Sequence, residues 1–150
     1  MTATSTQITD EAAIRALIDA RVNAVRAKDV EAAVATVAEG ALLFDVVDPL
    51  ENIGREAARQ RAENWFGSFD GPIGHEIANL NIAASGDVGF CHGLAHVHAN
   101  KADGTELDMW WRTTLCLRKQ DGNWMITHEH NSVPFNMETG KASLELKPNG

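Results

Sequence analysis

Tyrosine is absent from this chain and cysteine is scarce. Cys91 and Cys116 stand 25 positions apart inside apolar stretches, without the CxxC spacing of a redox or zinc site, so they read as buried thiols and not as a disulfide. A basic excess is missing too: 13 Lys and Arg against 21 Asp and Glu give a formal charge of -8, which repels phosphate backbones and anionic lipid. Nucleic acid is therefore not an expected partner. No run approaches the roughly 20 apolar residues of a membrane span, and MTATSTQ carries no basic segment followed by an apolar one. The expectation is a cytoplasmic protein that does not engage a membrane. There is no glycine-rich phosphate loop and no nucleophile elbow, so nucleotide enzymes and serine hydrolases lack support and no cofactor is expected.

What is present fits one domain over residues 1-150, with a core at about 8-134 and a polar C-terminal arm at 135-150. Thr9 can cap a helix over about 10 to 27, in which Ile14, Leu17, Ile18, Val22 and Val25 repeat at helical spacing. Asp29 can cap a second helix through Val30, Val34 and Val37, ended by Gly40. ALLFDVV, residues 41 to 47, has the texture of a strand, and a third helix is expected from about Arg55 to Ser68. From Ile73 onward, β-branched segments alternate with the turn signals SGD, KADG and QDG, which predicts a four-strand antiparallel meander. Helices first and strands second predict an α+β fold, with the helices covering one face of a curved sheet.

Two charges fall where apolar residues belong. Arg21 lies near the centre of the first helix's apolar stripe at about 100° per residue. It either snorkels or pairs with a structural carboxylate, or it lines a pocket. Asp45 interrupts a strand that is apolar on both faces, so it must be paired, protonated, or placed in a cavity as a usable general base. On the strand ELDMWWRTTLCLR, Asp108, Trp110, Arg112, Thr114 and Cys116 share one face; Met109, Trp111, Thr113, Leu115 and Leu117 share the other. On the last strand Trp124, Ile126, His128 and His130 alternate with Met125, Thr127, Glu129 and Asn131. His92, His96 and His98 repeat the alternate spacing, but without a helical HExxH or clustered carboxylates, and no metal is expected.

The succession helix, helix, strand with an aspartate, helix and four strands ending in WMITHEHNSVPF resembles the nuclear-transport-factor-2-like superfamily, and within it the SnoaL-like and ketosteroid-isomerase-like proteins. FDVVDPL, DMWWRTTLCLRK and THEHNSVPF are similar to a bacterial SnoaL-like subgroup. The resemblance implies a cone-shaped fold that encloses a pocket, with Asp45 at the position of the isomerases' general base. Arg21 then stands where those isomerases carry an oxyanion-hole tyrosine, and Thr114 where they carry a protonated aspartic acid, so two of three catalytic positions differ. The pocket acid of the SnoaL-like cyclases has no clear counterpart, and His128 or His130 could take its place.

These readings combine into a pocket for a small apolar or aromatic carbonyl compound, walled by Trp65, Phe66 and Trp110. Asp45 would serve as base or orienting acceptor, Arg21 and Arg112 would hold an oxyanion or carboxylate, and His130 would relay a proton. The implied reaction is isomerisation, cyclisation or dehydration beside a carbonyl. The alternative is a non-catalytic ligand-binding or assembly module. In either case Trp111, Met109, Leu115 and Leu117 would form an outer sheet face that makes a homodimer.

Overall fold

The computed structural model describes residues 4–149, and its element order is three helices with a six-stranded sheet. The first helix, α1 (Ser5–Ala27), begins a turn earlier than Thr9 predicts. Thr4 is the cap: its hydroxyl accepts from the Gln7 amide at 3.1 Å while the Gln7 side chain accepts from the Thr4 amide at 2.9 Å, a reciprocal capping box. Thr9 instead donates back to the Ser5 carbonyl inside the helix.

The second helix is shorter than predicted. Asp29 does cap it, accepting from the Ala32 amide at 3.1 Å, but α2 is only Val30–Val34. Val37 opens a strand, β1 (Val37–Phe44), which runs parallel to the last strand with Val37 opposite Ile126. Pairing and burial of a β-branched residue have overridden the local helical pattern. Gly40 lies within β1 and ends no helix. A two-residue strand, β2 (Asn52–Ile53), leads through Gly54 into α3 (Arg55–Gly67). Gly54 has φ +96° and an added Cβ would sit 2.8 Å from the Glu39 carbonyl, so only glycine fits this turn.

The meander is β3 (Phe69–Ser85), β4 (Val88–Lys101), β5 (Glu106–Gln120) and β6 (Asn123–Ser132). In the sheet the order is β2-β1-β6-β5-β4-β3. The helices pack on one face. Ile14, Leu17 and Ile18 of α1 meet Leu115, Leu117, Trp124 and Ile126 at one end, and Ala24, Ala33 and Phe66 meet Phe69, Ile73 and Val97 towards the other. Asp10 is buried beside the first cluster, where it accepts from Lys119 Nζ at 2.8 Å and from the Trp124 indole at 3.3 Å. The hydrogen bond from Lys119 holds its carboxyl below the usual aspartate range, against the opposing effect of burial.

The helix-covered face of β5 is the reverse of the one expected. Thr113, Leu115 and Leu117 are buried beneath the helices, and Trp110, Arg112 and Thr114 face away. Polarity on that strand marks the uncovered face and not a pocket; the apolar set turns inward because α1 lies over it. The arm after Pro134 folds back through a Phe135–Ala142 bridge and a hydrogen bond from the Ser143 amide to the Pro134 carbonyl. Among the described residues no helix is long and apolar enough to cross a membrane.

Candidate functional site

Between the helices and the inner sheet face lies a cavity of about 830 Å³. Val22 and Val25 of α1, Trp65 and Phe66 of α3, and Met109 and Trp111 of β5 supply apolar walls. Arg21 and Asp45 both line it, but they do not meet. Arg61 Nη2 donates to Asp45 Oδ2, and the Val46 amide donates to Asp45 Oδ1 at 2.6 Å, so both carboxylate oxygens are engaged just beyond the end of β1. Arg21 Nη2 instead donates to Glu129 Oε1 at 3.0 Å.

A bulge in β6 delivers Glu129. The pairing steps from Leu117 opposite Ile126 to Cys116 opposite His128, which leaves Thr127 without a partner. One extra residue reverses the alternation beyond it. Trp124 and Ile126 face the core, yet so do Glu129 and Asn131, while His128 and His130 turn to the outer face. There the His128 Nδ1–H donates to the Leu42 carbonyl at 2.7 Å, and both imidazoles pack edge-on against Phe44. Of the residues expected at the site, Asp45, Arg21, Trp65 and Phe66 line the cavity. Trp110, Arg112, Thr114, His128 and His130 do not.

Glu129 is clasped on both sides, since Asn131 Nδ2 donates to its Oε2 at 2.9 Å. Burial pushes its carboxyl up, but the Arg21 charge and the hydrogen bonds from Asn131 and Arg21 outweigh this, and the net shift is downward. It is an anion at neutral pH. Another cavity group that composition and spacing did not single out is His75, in register with the inward Ile73 and Ile77 of β3. Its ring stacks on Trp111 with centroids 5.9 Å apart and planes 10° from parallel. Nδ1–H donates to the His96 carbonyl at 2.8 Å, so the neutral ring carries its lone pair on Nε2. Burial, helped by the nearby Arg21 and Arg26 charges, holds its pKa below the usual imidazole value of 6.5. Cys91, by contrast, is pushed up to about 11 by burial and is no nucleophile at neutral pH. Among the described residues no group of three or more His, Cys, Asp or Glu is placed to hold a metal ion.

A curved sheet with helices on one face and a polar cluster inside an apolar cavity defines the NTF2-like α+β architecture. Residues 14–136 match the family model for the SnoaL-like domain, and the chain belongs to that family. It is 34% identical to an NTF2-like protein of unknown function from Pseudomonas putida KT2440, with a TM-score of 0.85 over 94% of this chain and 98% of that one. A ketosteroid isomerase-like protein from Erwinia carotovora atroseptica SCRI1043 is 21% identical, with a TM-score of 0.70 over 82% of this chain and 95% of that one. A protein proposed to be a dehydratase of the NTF2-like family from Streptomyces avermitilis is 12% identical, with a TM-score of 0.74 over 84% and 97%. The last two likenesses concern the fold alone. Against curated proteins the sequence has no significant match.

Proposed function

We propose that the cavity binds a small, largely apolar carbonyl compound and that the protein moves a proton beside that carbonyl, as an isomerase, cyclase or dehydratase does. The observation that carries this reading is a neutral imidazole, His75, lining the same apolar cavity as a half-buried guanidinium, Arg21. Arg21 donates to the carbonyl oxygen, and His75 Nε2 takes the proton from the neighbouring carbon. The C–H electron pair moves into the enolate, and the imidazolium then returns the proton to carbon or to a departing hydroxyl. Charge moves within the cavity and its sum is unchanged, so little solvent reorganisation is needed. The Asp45–Arg61 pair would orient the polar end of the ligand, with Trp65 and Phe66 holding its apolar body. Nδ1–H bonding to backbone fixes the imidazole as catalysis by a general base requires.

Deoxybenzoin in D2O tests this without knowledge of the natural substrate. The protein is expected to accelerate deuterium uptake at the carbon next to the carbonyl, with saturation in ketone. Uptake at the buffer rate contradicts proton abstraction and favours the reading of a ligand-binding module without catalysis.

The uncovered sheet face supports a homodimer in either reading. It carries five of the six histidines, a Trp110 ring stacked on His96 with centroids 4.3 Å apart, and Phe90, 49% exposed. These side chains, and not Trp111, would form the contact. Trp110→Asp is expected to give monomers in sedimentation at micromolar concentration where the parent chain sediments as a dimer. A monomeric parent chain would contradict the dimer.

A further inference from the structure

The cavity has a wall that lies outside the family match: Ala142 and Leu144 of the C-terminal arm line it, although the match ends at residue 136. The lining residues that are exposed are Val47 after β1, Asn64 and Ser68 at the end of α3, and Ala142 and Leu144. The cavity therefore opens to solvent between the loop after β1, the end of α3 and the arm. The arm is built as a unit. The Asn136 amide donates to the Lys141 carbonyl at 2.7 Å, and the Gly140 amide to the Asn136 carbonyl at 2.8 Å, while Asn136 Oδ1 accepts from the Glu138 and Thr139 amides. Among the described residues, every hydrogen bond made by residues 135–149 stays within 134–143. None of their side chains joins the three apolar clusters that hold helices and sheet together. The Lys147 charge acts on Asp108, but both are exposed and water screens that attraction. The hairpin is attached through the chain at Val133–Pro134, which no strand or helix includes, and rests on the cavity rim through Ala142 and Leu144.

Building on the carbonyl-pocket reading, we propose that residues 134–147 form a flap that swings about Val133–Pro134 and closes over the bound ligand, with Leu144 as the side chain that covers it. Swinging the hairpin as a unit breaks no hydrogen bond to the helices or the sheet, so opening requires the loss of rim contacts alone. Leu144 keeps 45% of its surface exposed, and an apolar ligand beneath it buries part of that surface. The ligand therefore favours the closed position over the open one, and it shifts the equilibrium by that difference. Closure also shuts water out while His75 holds the proton. Leu146 is similarly exposed, at 49%, but does not line the cavity and has no such role.

Methyl and amide NMR of the unaltered protein with deoxybenzoin tests the flap. Cross-relaxation is expected between the ring protons of the ketone and the Leu144 methyls. Before the ketone is added, Ala142, Leu144 and the amides of 135–143 should move together between nanoseconds and milliseconds, a motion that Ile14 and Ile18 of the core do not share and that saturating ketone quenches. Leu144→Ala removes part of the cover and should speed release of the ketone about tenfold, while Leu146→Ala leaves it within about twofold. Contact of the ketone with Val22, Val25 and Met109 but not with Leu144 overturns the flap and leaves the carbonyl pocket standing. A Leu144 that touches the ketone but is as ordered as the core before it is added is a fixed wall, and that result overturns the flap as well. Contact of the ketone with none of these cavity methyls overturns the carbonyl-pocket reading itself.

Discussion

Glu129→Leu is expected to lower the free energy of unfolding by about 3 kcal/mol, and Arg21→Met by a similar amount, while the double variant recovers most of the loss. Each single change strands one charge in an apolar setting. Removing one partner of a buried pair costs about 3 to 5 kcal/mol, and the low end applies because the pair faces a cavity and keeps 23% and 19% side-chain exposure. Replacing both charges by apolar side chains removes the stranded ion, and such replacements are often neutral. The Asp45–Arg61 pair is more open, at 29% and 27% exposure, so Asp45→Asn should cost only about 1 kcal/mol or less. Arg21 and Asp45 have separate partners, and their changes should add within about 0.5 kcal/mol. Denaturant unfolding of the three Arg21 and Glu129 variants checks this. Additive losses in the double variant would mean that the two side chains do not stabilise each other.

His75→Leu is expected to reduce deuterium uptake by deoxybenzoin about 10²- to 10⁴-fold, the usual contribution of a positioned general base, with binding of the ketone changed by no more than a few fold. Leucine keeps an apolar surface against Trp111, so loss of rate with binding retained separates proton transfer from packing. The pH profile has a definite sign. Because His75 titrates below 6.5, the base is neutral at pH 7, and the rate should fall only when the pH drops through that lowered value. Stability follows the same direction: the contribution from His75 is complete above the unfolded value of 6.5 and is lost as pH falls through the folded one. Glu129, also shifted downward, remains ionised across this window.

The sheet, the helices on one face and the two odd charges were legible because periodicity reports burial. Arg21 in an apolar stripe and Asp45 in an apolar strand both reach the cavity. Two kinds of information were not there to read. Alternation divides a strand into two faces without saying which one the helices will cover, and on β5 the more polar face proved to be the bare one, so Trp110, Arg112 and Thr114 exchanged places with Trp111 and Thr113. A bulge is a single extra residue, and nothing about Thr127 distinguishes it from its neighbours in WMITHEHN; yet it decides that Glu129 and Asn131 face inward and His128 and His130 do not. His75 was recoverable. It alternates with Ile73 and Ile77, and a histidine on an apolar inward stripe is the same signal that Arg21 gave.

The proposed chemistry depends on a neutral imidazole, His75, that lines the cavity with its lone pair on Nε2. Nitrogen-15 NMR of the histidine side chains through a pH titration, with His75→Leu assigning the signal, measures the tautomer and its pKa together. The Nδ1–H tautomer is expected at pH 7, with a midpoint below 6.5 and a perturbation of the Nε2 resonance on addition of deoxybenzoin. A His75 that is protonated at pH 7, or that carries its proton on Nε2, would contradict it.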